Sequence, residues 1–436
     1  MFAYYFELGL RSLRRNPVLT GLMIVTIAFG VAASMTMYSV FRAVSNNPIP
    51  QKSSQLYAVQ IDNFGPQNNQ NSEPPDELDY IDAMALLKAH RAPRQTALYP
   101  VKLSVISDDA SQFPIRPTTY AISNNAFPMF DIPFLYGGGW GTEDDENRAS
   151  VVVIGRALND RLFHGANSVG REINLSGHNY RIAGVMDSWD PKPLFFDLAS
   201  NGGFADAIQL FIPMSRAVDL QLITAGGTDC GAQNYGTGWD AFLRSSCSWV
   251  IYWAELPSKA DADAYRQYLR DYAAAQQRAG RYGWAPNVRL RDVSQWLDYE
   301  HAVPPESKLS LYLSLGFLVI CLVNTVGLLL AKFMRRASDI GVRRALGASR
   351  RTVYAQFLIE GATIGLAGGV LGLLLTGVGV WSVGLIFDAQ IARLATLDFS
   401  LVALTLGVAV LATVLAAFYP TWRAAQIAPA WQLKSN

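Results

Sequence analysis

The side chains best suited to bind a partner lie in one short stretch, residues 332–351, which contains seven of the chain's 36 lysines and arginines. Ser338 is a residue type that caps helix N-termini, and Asp339 carries the charge that the positive end of a helix attracts. Gly347 can adopt the left-handed conformation that ends a helix. This spacing predicts a short, rigid helix over residues 338–347.

The predicted helix has charged and apolar positions. Arg343 and Arg344 project charge, whereas Ile340 and Leu346 are available for apolar contact on either side of the turn that contains Gly341. A basic helix at a membrane surface could serve only to anchor the chain to anionic lipid. A lipid anchor would not need two caps and an apolar face, so the pattern favours docking to a protein.

No other arrangement of residues is typical of an enzyme, a metal site or a nucleic-acid interface. The sequence has no Walker A motif to hold nucleotide phosphates, and it contains no Gly-Lys pair. The acidic run 143–146 lacks the alternating ligands of a calcium loop. The four histidines, which are isolated from one another, are His90, His164, His178 and His301. With a net charge of +1 there is no basic excess. We therefore expect this chain to have no catalytic residue, cofactor, metal or nucleic-acid partner.

Four uncharged runs are long enough to cross a bilayer, which takes about 20 residues of helix for about 30 Å of hydrocarbon. The runs are Val18–Phe41, Leu309–Ala331, Gly361–Phe387 and Phe399–Trp422. Helices satisfy their backbone groups internally, so these runs predict four transmembrane helices. A cleaved signal peptide is the alternative for the first run, but the apolar region of a signal peptide has only about 7–15 residues.

Basic residues predict the orientation of the spans. Arg11, Arg14 and Arg15 precede the first run, and the basic stretch 332–351 joins the second to the third, so both segments are expected in the cytoplasm. Both termini are then cytoplasmic, and residues 43–307 lie outside.

The outside segment is too long for a loop and has the composition of a soluble protein. We predict an α-helical membrane protein with four transmembrane helices and a large inserted α+β extracytoplasmic domain, divided as 1–42, 43–307 and 308–436. The predicted strands are Leu56–Ile61, Val101–Ile106, Val151–Ile154, Glu172–Leu175, Tyr180–Val185 and Ile208–Ile212. The predicted helices are Pro75–His90 and Asp261–Ala279, the second capped by Asp261.

Two further sets of residues have a predicted structural role. Cys230 and Cys247 flank a Gly-rich loop in the outside domain, where an oxidising compartment favours a disulfide over two free thiols. Closing that loop would stabilise the domain by about 3 kcal/mol. In the third run, four glycines recur on one helix face, which predicts close packing within the subunit or across a dimer. They are Gly361, Gly365, Gly368 and Gly372.

The stretch Ser338–Arg351 resembles the coupling-helix signature of FtsX-like permeases in the MacB branch of ABC transporters. The resemblance extends to Leu8–Pro17 before the first span, to the motifs within Tyr120–Asp187, and to Tyr419–Ala425 near the C-terminus. Asp339 stands where the family commonly has Glu, which shortens the reach of that carboxylate.

This resemblance implies a MacB-like periplasmic domain and an FtsX-like permease domain in a bacterial inner membrane. It assigns ATPase coupling to Ser338, Asp339, Ile340, Gly341, Arg343, Arg344, Leu346 and Gly347. MacB carries a fused ATPase domain ahead of its first span that this sequence lacks, so the resemblance implies a separately encoded cytoplasmic ABC ATPase that binds ATP and Mg²⁺. A second permease, identical or paralogous, completes the membrane assembly.

Efflux of antibiotics, peptides or toxins, with a periplasmic adaptor and an outer-membrane channel, is the function that the resemblance favours. Two alternatives stay open. Regulation of a cell-wall hydrolase would suit a much smaller outside domain, whereas release of lipoproteins is compatible with this architecture.

Overall fold

A computed structural model describes residues 16–69, 72–106, 113–201, 203–230, 236–336, 342, 346–386 and 398–425. They separate into two compact units, one within Met1–Ser45 and Val303–Asn436 and the other within Asn46–Ala302. The predicted junctions, at residues 43 and 307, lie a few residues from these boundaries.

Four long apolar helices make up the membrane unit, as the sequence predicted. They are Pro17–Ser45, Pro305–Met334, Arg350–Ile386 and Phe399–Ala425, here called the first to fourth spans. The third begins eleven residues before its predicted apolar run. Hydropathy identifies only the part of a helix that suits lipid, and this helix continues through charged residues beyond it.

Small residues let the spans approach closely. The Ser34 hydroxyl of the first span donates a hydrogen bond to the Ser314 carbonyl of the second, at 2.9 Å. Near this bond, a Cβ added to Gly30 would lie 3.0 Å from the Cβ of Cys321. Packing between apolar helices therefore depends on the absence of side chains at such positions.

The four predicted glycines of the third span are all buried within the subunit. A Cβ at Gly361 would lie 2.8 Å from Ala417 of the fourth span, and one at Gly365 would overlap the Thr413 hydroxyl. About one turn beyond Gly365, Gly368 faces Ile27 of the first span. A further turn on, Gly372 faces Ala28 of the same span. The glycine face thus fits the groove between the first and fourth spans.

The inserted unit is built on a mixed twelve-stranded sheet. Its strands are β1 Leu56–Ile61, β2 Leu78–Asp79, β3 Arg94–Val101, β4 Val105–Ile106, β5 Thr119–Ile122, β6 Phe134–Gly137, β7 Val151–Gly155, β8 Glu172–Leu175, β9 His178–Met186, β10 Leu210–Pro213, β11 Ser248–Glu255 and β12 Val288–Asp292. The order is β12-β1-β11-β3-β5-β10-β7-β9-β8-β4, with β2 beside β11 and β6 beside β9. β1 and β12 are antiparallel neighbours, and Tyr57 pairs with Asp292.

Helices and loops cover both faces of the sheet. The helices are α1 Tyr80–Ala89, α2 Ala126–Met129, α3 Thr142–Glu146, α4 Arg156–Phe163, α5 Leu198–Asn201, α6 Met214–Asp219, α7 Trp239–Leu243, α8 Lys259–Arg278 and α9 Val293–Tyr299. Because side chains alternate along a strand, Tyr252 and Trp253 of β11 enter different hydrophobic cores. Both faces of the sheet are therefore buried.

One predicted strand is wrong in its bounds. Val101–Ile106 was predicted as a strand that starts after Pro100, but β3 contains Pro100 and the chain leaves the sheet at Val101 before returning as β4. β3 pairs with β11 only as far as Leu98, so Pro100 lies beyond that ladder. A missing N–H at this position removes no bond to β11.

Both predicted helices begin at a different residue in the structure. α1 starts at Tyr80 rather than Pro75, because Asp79 accepts a hydrogen bond from the Asp82 amide and caps it. α8 is capped by Ser258, and Asp261 is the third residue of its capping box rather than the cap.

The glycine groove yields a test. We expect Gly365→Leu to disrupt packing of the third span on the fourth and to lower the yield of folded protein, because the new side chain would occupy the position of Thr413. Gly407→Leu is the matched control, since a Cβ at Gly407 meets nothing within 4 Å. Gel filtration in detergent measures both. Equal monodisperse yields of the two variants would contradict the packing assignment.

Candidate functional site

Of the predicted coupling helix, the structure describes Val342, Leu346 and Gly347. The Leu346 amide donates a hydrogen bond to the Val342 carbonyl at 3.0 Å, the spacing of an α-turn. Gly347 follows with a φ of +98°, the conformation predicted for the residue that ends this helix. The Leu346 side chain is 83% exposed. The other predicted coupling residues lie outside the described residues: Ser338, Asp339, Ile340, Gly341, Arg343 and Arg344.

A second cap follows at once. The Ser349 hydroxyl accepts a hydrogen bond from the Thr352 amide at 3.2 Å, so Ser349 caps the third span. Only Ala348 separates this cap from Gly347. The turn therefore connects to the third span through two residues whose conformation is fixed by caps.

A buried ion cluster joins the second span to the third. The Lys332 ammonium, near the end of the second span, lies 2.7 Å from the Glu360 carboxylate in the third. The Arg336 guanidinium lies 3.2 Å from the other oxygen of the same carboxylate. The side chains of Lys332 and Glu360 are 0% and 3% exposed. One carboxylate thus pairs with two cations from the first residues of the basic stretch.

Two buried aromatic side chains lie close to this cluster along the two helices. Phe333 and Phe357, each adjacent to the cluster along its own helix, are buried with ring centroids 4.3 Å apart. Val353 lies one turn further along the third span and is also buried. By contrast, Arg335 and Arg351 are exposed.

In the inserted unit, Cys230 and Cys247 form a disulfide. Directly beside it, the Asp229 and Ser248 backbones exchange two hydrogen bonds, of 3.1 and 2.7 Å. The disulfide and this bridge hold the end of the Gly-rich loop against β11.

Next to the disulfide is a cleft of about 530 Å³ whose lining includes Phe64, Glu73, Asp76, Glu77, Asp229 and Tyr299. Glu77 accepts a hydrogen bond from the Ser200 hydroxyl at 3.1 Å. Glu73 is neutralised by ion pairs with Arg289 and Arg291. The cleft is therefore acidic in composition but partly compensated.

Burial changes the protonation of these carboxyl groups. Burial, together with the nearby Asp197, raises the pKa of Glu77 to about 8. Burial and Asp76 raise the pKa of Glu300 to about 8. Both side chains hold a proton at neutral pH, and protonation of Glu77 reduces the negative charge of the cleft. In the described part of the chain, no group of three or more His, Cys, Asp or Glu is arranged to hold a metal ion.

Sequence reasoning missed the ion cluster. Lys332 counted only as one more basic residue of a cytoplasmic link, and Glu360 was excluded because it directly precedes the uncharged run from Gly361. The usable signal was a single carboxylate inside a helix that has to be apolar, since such a residue requires a partner.

Comparison with known proteins covers both units. A family model described as MacB-like periplasmic core domain matches residues 20–272. A second model, described as FtsX-like permease C-terminal, matches residues 311–429.

Similar proteins include two of known sequence and one of known structure. The chain is 24% identical over 433 residues to the macrolide export ATP-binding/permease protein MacB of Azoarcus sp. (strain BH72), covering 98% of this chain but only 59% of that protein. It is 22% identical over 389 residues to the uncharacterized ABC transporter permease YvrN of Bacillus subtilis (strain 168), covering 85% of each. The crystal structure of the periplasmic region of MacB from Actinobacillus actinomycetemcomitans is 13% identical, with a TM-score of 0.37 over 59% of this chain and 96% of that one.

The disulfide can be tested directly. Mass spectrometry of the non-reduced protein, made in an oxidising compartment, should recover the Cys230 and Cys247 peptides linked to each other. Replacing both cysteines by Ser should lower the stability of the inserted unit by about 3 kcal/mol. Recovery of both native cysteines as free thiols would contradict the pairing.

The raised pKa of Glu77 predicts a pH dependence. Between about pH 4.3 and 8 the folded protein keeps a proton that the unfolded chain releases, so stability falls as pH rises, by up to about 1.4 kcal/mol per pH unit. Tryptophan fluorescence reports mainly on the inserted unit, which holds seven of the ten tryptophans. Glu77→Gln should flatten the slope, and exposed Glu143→Gln should not. Identical slopes in both variants would refute the assignment.

Proposed function

Because this chain belongs to the ABC transporter permeases that join a MacB-like periplasmic core domain to an FtsX-like permease domain, we propose that it transmits ATP-driven motion. The motion comes from a cytoplasmic ABC ATPase and is passed through the spans to the inserted domain. The chain itself performs no hydrolysis, and ATP and Mg²⁺ bind to the ATPase.

The capped turn within the basic stretch, which ends at Gly347, is the observation that carries this proposal. Transmission needs a stiff element, because a flexible loop would absorb displacement. Gly347 ends the turn and Ser349 begins the third span, with hydrogen bonds on both sides of Ala348. A displacement of Leu346 therefore reaches the third span through very little free chain.

The proposed orientation follows from charge. The basic stretch around Arg335 and Arg351 faces the cytoplasm of a bacterial inner membrane, with both termini. Residues 43–307 then lie in the periplasm, an oxidising compartment that suits the Cys230–Cys247 disulfide.

The proposed transport activity is efflux of antibiotics, peptides or toxins. It is supported by the similarity of the inserted domain to the MacB-like family and by the Azoarcus relative, which is named a macrolide export protein. In this proposal, two permease chains act with the ATPase, and an adaptor and an outer-membrane channel complete the path. This chain spans about three fifths of the length of that MacB relative. The similarly sized YvrN relative, named as a permease, supports an ATPase on another polypeptide.

A charge placed on the docking surface should abolish coupling. Leu346 is exposed, so Leu346→Asp should leave insertion and folding unchanged while preventing its contact with an apolar groove on the ATPase. Ile340→Asp should act in the same way. Arg343→Ala/Arg344→Ala should instead weaken association and reduce its salt dependence, as expected for charges at the rim of an interface. ATPase binding and stimulated turnover are the measurements.

Ile223→Asp is the matched control, because Ile223 is also an exposed apolar residue but belongs to the inserted unit. It should bind and stimulate the ATPase like the parent chain. If Leu346→Asp and Ile340→Asp also behave like the parent, the basic stretch is a lipid anchor and the coupling proposal fails.

A further inference from the structure

We propose that the ion pair of Lys332 and Glu360, together with Arg336, acts as a clamp between the second and third spans. It makes the two spans move as one body when residues 337–349, here called the coupling segment, are displaced. This inference rests on the proposed function, since it assigns the point where force enters the membrane unit. It names three positioning residues that lie outside the coupling helix.

The position of the cluster along the chain supports this role. Arg336 directly precedes the coupling segment, and Lys332 lies four residues before Arg336. Glu360 belongs to the helix that begins after that segment. The cluster therefore bridges the two ends of residues 337–349. Without such a bridge, displacement of the segment could separate the ends of the two spans instead of moving both.

The cost of burying these charges argues against a passive role. A buried ion pair contributes little net stability compared with apolar side chains of the same size, because both charges lose their hydration. Spans that needed only adhesion could pack with the small and apolar residues used elsewhere, as at Gly361 and Ala417. Two cations on one carboxylate fix the direction and register of the second span relative to the third. Sliding either helix would separate a buried charge from the charge it pairs with.

The third span extends well past the clamp. Its 37 residues make a helix of about 55 Å, longer than the roughly 30 Å hydrocarbon layer. Glu360 lies ten residues into it, about 15 Å from its first residue, Arg350. Phe357 and Val353 pack along the intervening arm. Displacement of the coupling segment thus acts on the start of the third span. The clamp lies further along this helix, where Glu360 joins it to the second span.

Spin-label distances test the clamp in the full-length chain, without the ATPase. Labels replace Met334 and Arg351, which are exposed near the ends of the two spans, in a background where buried Cys321 is Ala. The test variant is Lys332→Met/Glu360→Leu, which removes both charges together and leaves no buried carboxylate. Lys332→Glu/Glu360→Lys restores a pair in reverse and is the rescue variant.

We expect the label–label distance distribution to be narrow in the parent and about twice as broad in the apolar variant, and to narrow again in the rescue variant. With an ABC ATPase shown to bind the parent chain, the apolar variant should keep its ATPase affinity. Its stimulation of turnover should fall about tenfold, within the 5–150-fold range of typical coupling free energies. An ion pair with a merely structural role would change the folded yield, but it would change neither the width of the distance distribution nor the stimulation of turnover.

The outcomes separate the two proposals. If the apolar variant folds, keeps the narrow distribution and stimulates the ATPase like the parent, the clamp is wrong while the coupling proposal stands. If no ABC ATPase is stimulated by the parent chain, the proposed function fails, and the spin-label result alone decides whether the two spans are clamped. If the charge-reversed variant folds but stays broad, the ion pair is not the link.

Discussion

A polar group that enters an apolar layer must find its partner there, and this constraint governs the membrane unit. It explains why the spans are helices, and it also explains their polar side chains. Thr325, Thr376 and Thr405 are fully buried, and each donates its hydroxyl hydrogen bond to the carbonyl four residues earlier. The Ser34 hydroxyl lies within hydrogen-bond distance both of the Gly30 carbonyl, four residues earlier, and of the Ser314 carbonyl in another span. Glu360 lies beside two cations, Lys332 near the end of the second span and Arg336 just beyond it.

The same constraint acts differently in the inserted unit, where water is close. Asp79, which caps α1, and Asp82, in its first turn, are buried, and Arg281 with Tyr272 and Tyr282 supplies their partners. Glu77 has only a hydroxyl donor, and it remains protonated at neutral pH because burial opposes its charge. Burial thus produces ion pairs where a cation is within reach and neutral acids where none is, so the stability of this unit depends on pH.

Much of the fold could be predicted because its signals are local. Apolar runs identify spans, and alternating residues identify strands such as Leu56–Ile61, whose bounds agree with the structure. The family assignment succeeded because its motifs are short and contiguous. The strand predicted at Val101–Ile106 was displaced because the place of Pro100 in β3 depends on where β11 stops pairing, which is a tertiary property. The partnership of Lys332 and Glu360, 28 positions apart, likewise depends on how two helices pack, and no periodicity within either helix encodes it.

The pairing of β1 with β12 has a consequence for how such chains diversify. Tyr57, near the start of the inserted unit, is hydrogen-bonded beside Asp292, near its end, and neighbouring strands are only about 5 Å apart. Entry and exit of the insertion are therefore adjacent. A gene segment encoding a different domain with the same narrow stem could be substituted between the first two spans without rethreading either of them. The inserted domain could then be exchanged as a whole while the helices on either side of it are inherited unchanged.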